Sequence, residues 1–218
     1  RFRAAHALHN HAAGGSAFAI QAKLAGEAEA ALLAGAVDAE LTARTGSPRL
    51  DILVNNIGGG DYAPMLEVTE AFYDQTMANN LRGAFFLTKA LHGQLRDNGR
   101  VINLSSVGAR LTDPGIIVYT MAKAALDAFT RVMAAELGPR GITVNAVAPG
   151  FTAGETNDYI VQDPVAAKGV TDVTALRRFG QPEERLLLFY IHHKRHLDQL
   201  PVGERQPDFV LSGFGETH

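Results

Sequence analysis

Four short runs rich in Val, Ile and Leu, separated by helical stretches and mostly broken off by glycine or small polar residues, constrain this chain more than any other feature. The runs are 17–20, 51–55 (DILVN), 100–105 (RVINLS) and 142–148 (ITVNAVA). They are nearly continuous rather than alternating, which is the pattern of strands covered on both faces. Between them, 27–44 carries Leu32, Leu33, Val37 and Leu41 at helical spacing and meets Gly46 as a C-terminal cap. Thr69 is placed to cap a helix starting at Glu70. A third helix is expected over 81–96, stopping near Gly99, and a fourth over 119–137, stopped by Gly138 and Pro139. Strands alternating with helices of this length predict βαβ units, hence an α/β domain with a parallel sheet and helices on both faces. A single domain over 1–218 is expected, with ends that differ in kind from its body. Residues 185–218 contain no alanine, and seven of the eight histidines lie towards the two ends.

Charge and cysteine content narrow the function classes. Lys and Arg number 20 against 23 Asp and Glu, so the basic stripe of a nucleic-acid binder is missing. With no cysteine the chain has no disulfide framework and no thiolate metal site, which fits a reducing compartment such as the cytoplasm. The apolar run 186–191 is too short to span a bilayer, so no membrane partner is expected. His192 and His196 share a helical spacing but lack a third ligand, and no metal site is predicted.

In open parallel sheets, ligands bind beyond the carboxyl ends of the strands. Those ends carry Asn55-Asn56-Ile57-Gly58, then Ser105-Ser106-Val107-Gly108, then Pro149-Gly150-Phe151-Thr152. Small and polar residues thus collect along one edge, where glycine lets the backbone approach a ligand. Tyr119 and Lys123 stand four apart on one helix face. A lysine ammonium favours the phenolate and so tunes a tyrosine towards general acid–base work near neutral pH. Tyr-x-x-x-Lys alone is a common accident. Its company is not.

The chain resembles the short-chain dehydrogenase/reductase family over roughly 16–184. The residues that carry the resemblance are DILVNNIG (51–58), NLRG (80–83), INLSS (102–106), YTMAK (119–123) and RGITVNAVAPG (140–150), supported by RRFGQPEE (177–184). Their order and spacing are the family's, and five motifs together are far more specific than any one. The resemblance implies a Rossmann-like, doubly wound sheet in three layers. It implies an oxidoreductase that interconverts a small carbonyl compound and its alcohol with NADP or NAD, with 3-oxoacyl reduction as the commonest analogy. By the same resemblance Tyr119 exchanges the proton, Lys123 supports it and holds the nicotinamide ribose, Ser106 orients the substrate oxygen, and Asn80 holds a relay water. Asn56 and Gly58 would line the adenosine-side ribose, with Pro149, Gly150 and Thr152 at the nicotinamide.

The family's glycine-rich phosphate loop, T-G-x-x-x-G-x-G, is nowhere in this sequence. The family's first two strands are missing with it, so the expected sheet is N-terminally incomplete and the strand at 51–55 is expected to present an open edge. An alternative therefore stands beside the enzyme: a catalytically silent relative, or a structural subunit, that binds no dinucleotide. The 119–137 helix is apolar on more than one face (Met121, Leu126, Phe129, Val132, Met133), which predicts a homodimer or homotetramer built through it.

Overall fold

The computed structural model describes residues 18–59, 62–154, 157–181 and 184, together with the strand at 209–212. Helix α1 (Glu27–Thr45) leads into strand β1 (Leu50–Asn55). Helix α2 (Glu70–Met77) runs through a π-helical turn (Ala78–Arg82) into α3 (Gly83–Leu91), and strand β2 follows (Leu95–Leu104). Helix α4 (Ile117–Leu137) precedes β3 (Thr143–Val147), the short helices α5 (Asp158–Val161) and α6 (Pro164–Val173) come next, and β4 (Phe209–Ser212) closes the series. The sheet has the order β3-β2-β1-β4, and every pair is parallel. This is a Rossmann-like α/β fold.

Local signals account for several boundaries. Gly46 ends α1 at a left-handed φ of 74°, its N–H returning to Thr42 O. The Thr69 side chain accepts from Phe72 N at 3.2 Å and starts α2. Alternate residues of the strands divide two cores. Leu53 and Val101 face Val37 and Leu41 of α1, Leu87 and Leu91 of α3, and Leu137 of α4. Ile52, Val54, Ile102 and Leu104 form the other cluster, with Val147 against it.

Three expectations need correction. The helix expected over 81–96 ends at Leu91, and β2 begins at Leu95 instead of Arg100. Leu95 pairs with Leu50, and residues 96–99 loop out before Arg100 pairs with Ile52. The apolar spacing through Leu91 and Leu95 suits a helix, but pairing with a distant strand overrides it. Residues 18–20, expected as part of a strand, have no regular structure. The open edge expected on β1 is filled: β4 pairs there, from Ile52↔Phe209 to Asn55↔Ser212. The remaining residues of both divergent ends, His192 and His196 among them, lie outside the described residues.

Candidate active site

Parallel pairing brings the carboxyl ends of all four strands to one edge, with Asn55 level with Asn103 and Ser212, and Leu104 level with Val147. Beneath that edge runs a buried polar ladder that reading the sequence did not single out. Asn55 Nδ2 donates to Thr88 Oγ1 at 2.9 Å and to Asn103 Oδ1 at 2.8 Å, and Asn103 Nδ2 donates to Thr130 Oγ1 at 2.9 Å. All four side chains are buried, so the ladder ties β1 and β2 to α3 and α4 through bonds that water cannot replace. The sequence signal was an Asn at the same register position of two apolar strands.

Lys123 is 3% exposed, one helical turn below Tyr119 on α4. Its Nζ donates to Leu104 O at 2.8 Å and lies 5.7 Å from the Tyr119 ring centroid. Burial pulls the Lys123 ammonium down to about 8, and nearby Asp127 opposes that shift. Gly58 packs directly over this group at a φ of +148°. A Cβ on Gly58 would lie 2.6 Å from both Lys123 Nζ and Asn80 Oδ1, so the backbone approach needs glycine.

Asn80 is fully buried in the π-helical turn. Its Nδ2 donates to Gly59 O (2.7 Å) and to Thr76 O (2.9 Å), while its Oδ1 accepts from Gly59 N (3.1 Å). The side chain thus clasps the loop after β1. Both amide protons are committed, which leaves Oδ1 with one acceptor position.

Ser106 caps the turn after β2, and its Oγ accepts from Gly108 N at 3.0 Å. A Cβ on Gly108 would sit 3.0 Å from Tyr119 Cε1 and 3.2 Å from Ser106 Oγ. The serine hydroxyl and the tyrosine ring are therefore neighbours across one residue that must lack a side chain. Thr120 Oγ1 donates to Gly108 O at 2.9 Å and fastens α4 to the same turn. Ser106, Tyr119, Lys123, Asn80 and Gly58 converge at one edge.

The segment after β3 borders it. Pro149 O accepts from Val107 N at 3.0 Å, which joins the third strand end to the serine turn. Thr152 is buried and bridges in parallel to Gly180. Gly180 exchanges backbone bonds with Phe151 and Ala153. Nearby, Arg178 forks onto both carboxylate oxygens of Glu184 at 3.1 and 2.7 Å. That contact holds the Glu184 carboxyl down to about 2. Asn56 directly follows β1, is half-buried, and leads into Gly58. A cavity of about 340 Å³ opens between the Leu111–Asp113 loop, Phe151 and the α6 face of Val170 and Val173. Among the described residues no cluster of three or more His, Asp or Glu could hold a metal, and no helix is long and apolar enough to cross a membrane.

Comparison with known proteins gives the family. The family model described as Enoyl-(Acyl carrier protein) reductase matches residues 4–186. A 3-oxoacyl-[acyl-carrier-protein] reductase of Synechocystis sp. is 36% identical over 173 residues, which is 78% of this chain and 66% of the relative. Among solved structures, the angucycline C-6 ketoreductase LanV with bound NADP superposes with a TM-score of 0.76 at 33% identity, over 82% of this chain and 69% of that one. A short-chain dehydrogenase from Burkholderia cenocepacia in complex with NADP gives 0.76 at 30% identity, over 86% and 73%. The chain thus spans about two thirds of the length of the first relatives it matches. With the family match, the similar relatives and the superposed structures all in agreement, the chain belongs to the short-chain dehydrogenase/reductase family of oxidoreductases.

Proposed function

We propose that this chain interconverts a small apolar carbonyl compound and its alcohol using NADP or NAD. The observation that carries the reading is the contact across Gly108, which sets Ser106 Oγ beside the Tyr119 ring while Lys123 lies buried beneath it. When bound, the nicotinamide supplies or accepts the hydride. In reduction, Ser106 orients the substrate oxygen and Tyr119 gives it a proton; in oxidation, Tyr119 takes that proton back. The Lys123 ammonium favours the charged oxygen left on Tyr119 after transfer. Only one of its three protons is used by Leu104 O among the described residues, so two remain for ribose hydroxyls. Asn80 positions Gly58 and Gly59, and its remaining acceptor position suits a relay water.

The residues present fit the nicotinamide half of the cofactor. Lys123 keeps donors for the nicotinamide ribose, and Pro149, Gly150 and Thr152 border the same edge, while Asn56 and Gly58, on the loop after β1, would line the adenosine-side ribose. The open depression lined by Leu111, Phe151, Val170 and Val173, with Thr112 and Asp113 at its edge, suits an alkyl or aromatic ketone, including a 3-oxoacyl chain, as the substrate class. A cytoplasmic location goes with this reading.

A second reading has its own observation: the sequence holds no glycine-rich phosphate loop. On that reading the chain is a catalytically silent relative that keeps the fold. Titration of NADPH and NADH into the purified chain, followed by nicotinamide fluorescence, separates the two. Submillimolar binding supports the enzyme, and no binding at several millimolar supports the silent relative.

Self-association goes with either reading. Phe85 of α3 meets Phe129 of α4 at 5.4 Å, and with Val132 and Met133 they line a groove of about 420 Å³. Val132 is 58% exposed, and a second copy of α3 and α4 is the matching occupant. A Val132→Asp chain that sediments as a monomer, where the parent is a dimer or tetramer, checks this.

A further inference from the structure

Strand β4 lies outside the residues matched by the family model, yet it holds a place beside β1, which is more deeply buried than β2 or β3. Ile52, Leu53 and Val54 are all 7% exposed or less. Each also carries a backbone donor and acceptor that need partners. Strand β2 serves one side of β1, and β4 serves the other. Four consecutive pairs set the match, from Ile52↔Phe209 to Asn55↔Ser212. Among the described residues β4 pairs with no other strand. Its sequence, Phe-Val-Leu-Ser, stands between Pro207-Asp208 and Gly213, signals that isolate a short strand from its surroundings. The last matched residue of β1, Asn55, begins the polar ladder and directly precedes the Asn56–Gly59 loop over Lys123.

We infer that the edge of β1 is a receptor groove for an extended apolar peptide, and that the chain's own C-terminal segment is its ligand, held by strand addition and separable from the rest of the fold. Main-chain pairing supplies the attachment, as in strand-addition recognition generally. The connection 185–208 tethers the ligand, and the closure cost of such a loop rises only slowly with its length. A tethered strand acts at an effective concentration of about a millimolar, so a free copy competes only near that level. The inference is independent of any dinucleotide chemistry.

The test uses the full chain and a fluorescein-labelled peptide of residues 207–218. Val210→Pro with Leu211→Pro removes an N–H facing β1 whichever of the two points inward. The double variant is expected to bind the peptide at least tenfold more tightly than the parent chain, whose groove is filled. Its β1 amides are expected to exchange at least tenfold faster than the parent's, with protection returning on peptide addition. Equal peptide affinity for both chains, or unchanged β1 protection, overturns the inference. If the double variant does not fold, it is refolded with the peptide or with a scrambled copy. Recovery with the native peptide alone supports the inference; recovery with both, or with neither, overturns it. A parent dimer that disappears in the double variant would assign the groove to a second copy, and would likewise overturn the intramolecular ligand.

Discussion

Gly58→Ala perturbs the site at its tightest point. The new Cβ would lie 2.6 Å from Lys123 Nζ and 2.6 Å from Asn80 Oδ1, against a van der Waals separation near 3.4 Å, so both groups must retreat. Neither has room. Asn80 is fully buried with three hydrogen bonds, and Lys123 is buried with its Nζ on Leu104 O. Loss of that charged hydrogen bond costs about 1.5–3 kcal/mol. Holding alanine at a φ of +148° costs about 1–3 kcal/mol more. Together these give a destabilisation of about 2.5–6 kcal/mol, and for a chain of this size each kcal/mol lowers the melting midpoint by about 2–4 °C. Urea unfolding followed by far-ultraviolet circular dichroism measures it. A loss below about 0.5 kcal/mol, the scale of an ordinary surface substitution, would refute the packing of Gly58 onto Lys123.

Two further outcomes follow from buried polar groups. Burial lowers the Lys123 pKa from 10.5 to about 8, so between those values the unfolded chain holds a proton that the folded chain has released. Stability therefore rises from pH 8 to pH 10.5 by up to about 3 kcal/mol and is lost as pH falls back through 8. Lys123→Met removes that segment of the stability–pH curve, and parallel curves for the two proteins would count against it. Asn103→Leu strips Asn55 and Thr130 of their shared partner inside the core and is expected to lower unfolding free energy by about 2–4 kcal/mol in the same urea assay.

Much of this was legible before any coordinates, and the reasons are local. The β1 run, the α4 span with its Gly138-Pro139 stop, and the caps at Gly46 and Thr69 are written in adjacent residues. The convergence of Ser106, Tyr119 and Lys123 followed from strand ends sharing one edge and from a four-residue helical spacing. What failed depended on distant partners. Leu95 reads as the end of a helix until Leu50 claims it. Phe209–Ser212 sits in a tail without family signal and becomes a strand because β1 has a side to fill. Residues 18–20 have strand composition but no strand structure, and the position beside β1 belongs to β4. The π-helical turn at Ala78–Arg82 and the clasp of Asn80 on Gly59 are likewise set by the loop they meet.

Proton transfer by Tyr119 is tested most directly by reducing an apolar ketone with NADPH, comparing the parent chain with Tyr119→Phe at matched cofactor saturation. Measurable turnover by the parent is expected, with a fall of about 10²–10⁴-fold in the variant and folding unchanged. Equal turnover by the two proteins, or none by a parent chain saturated with NADPH, would contradict it.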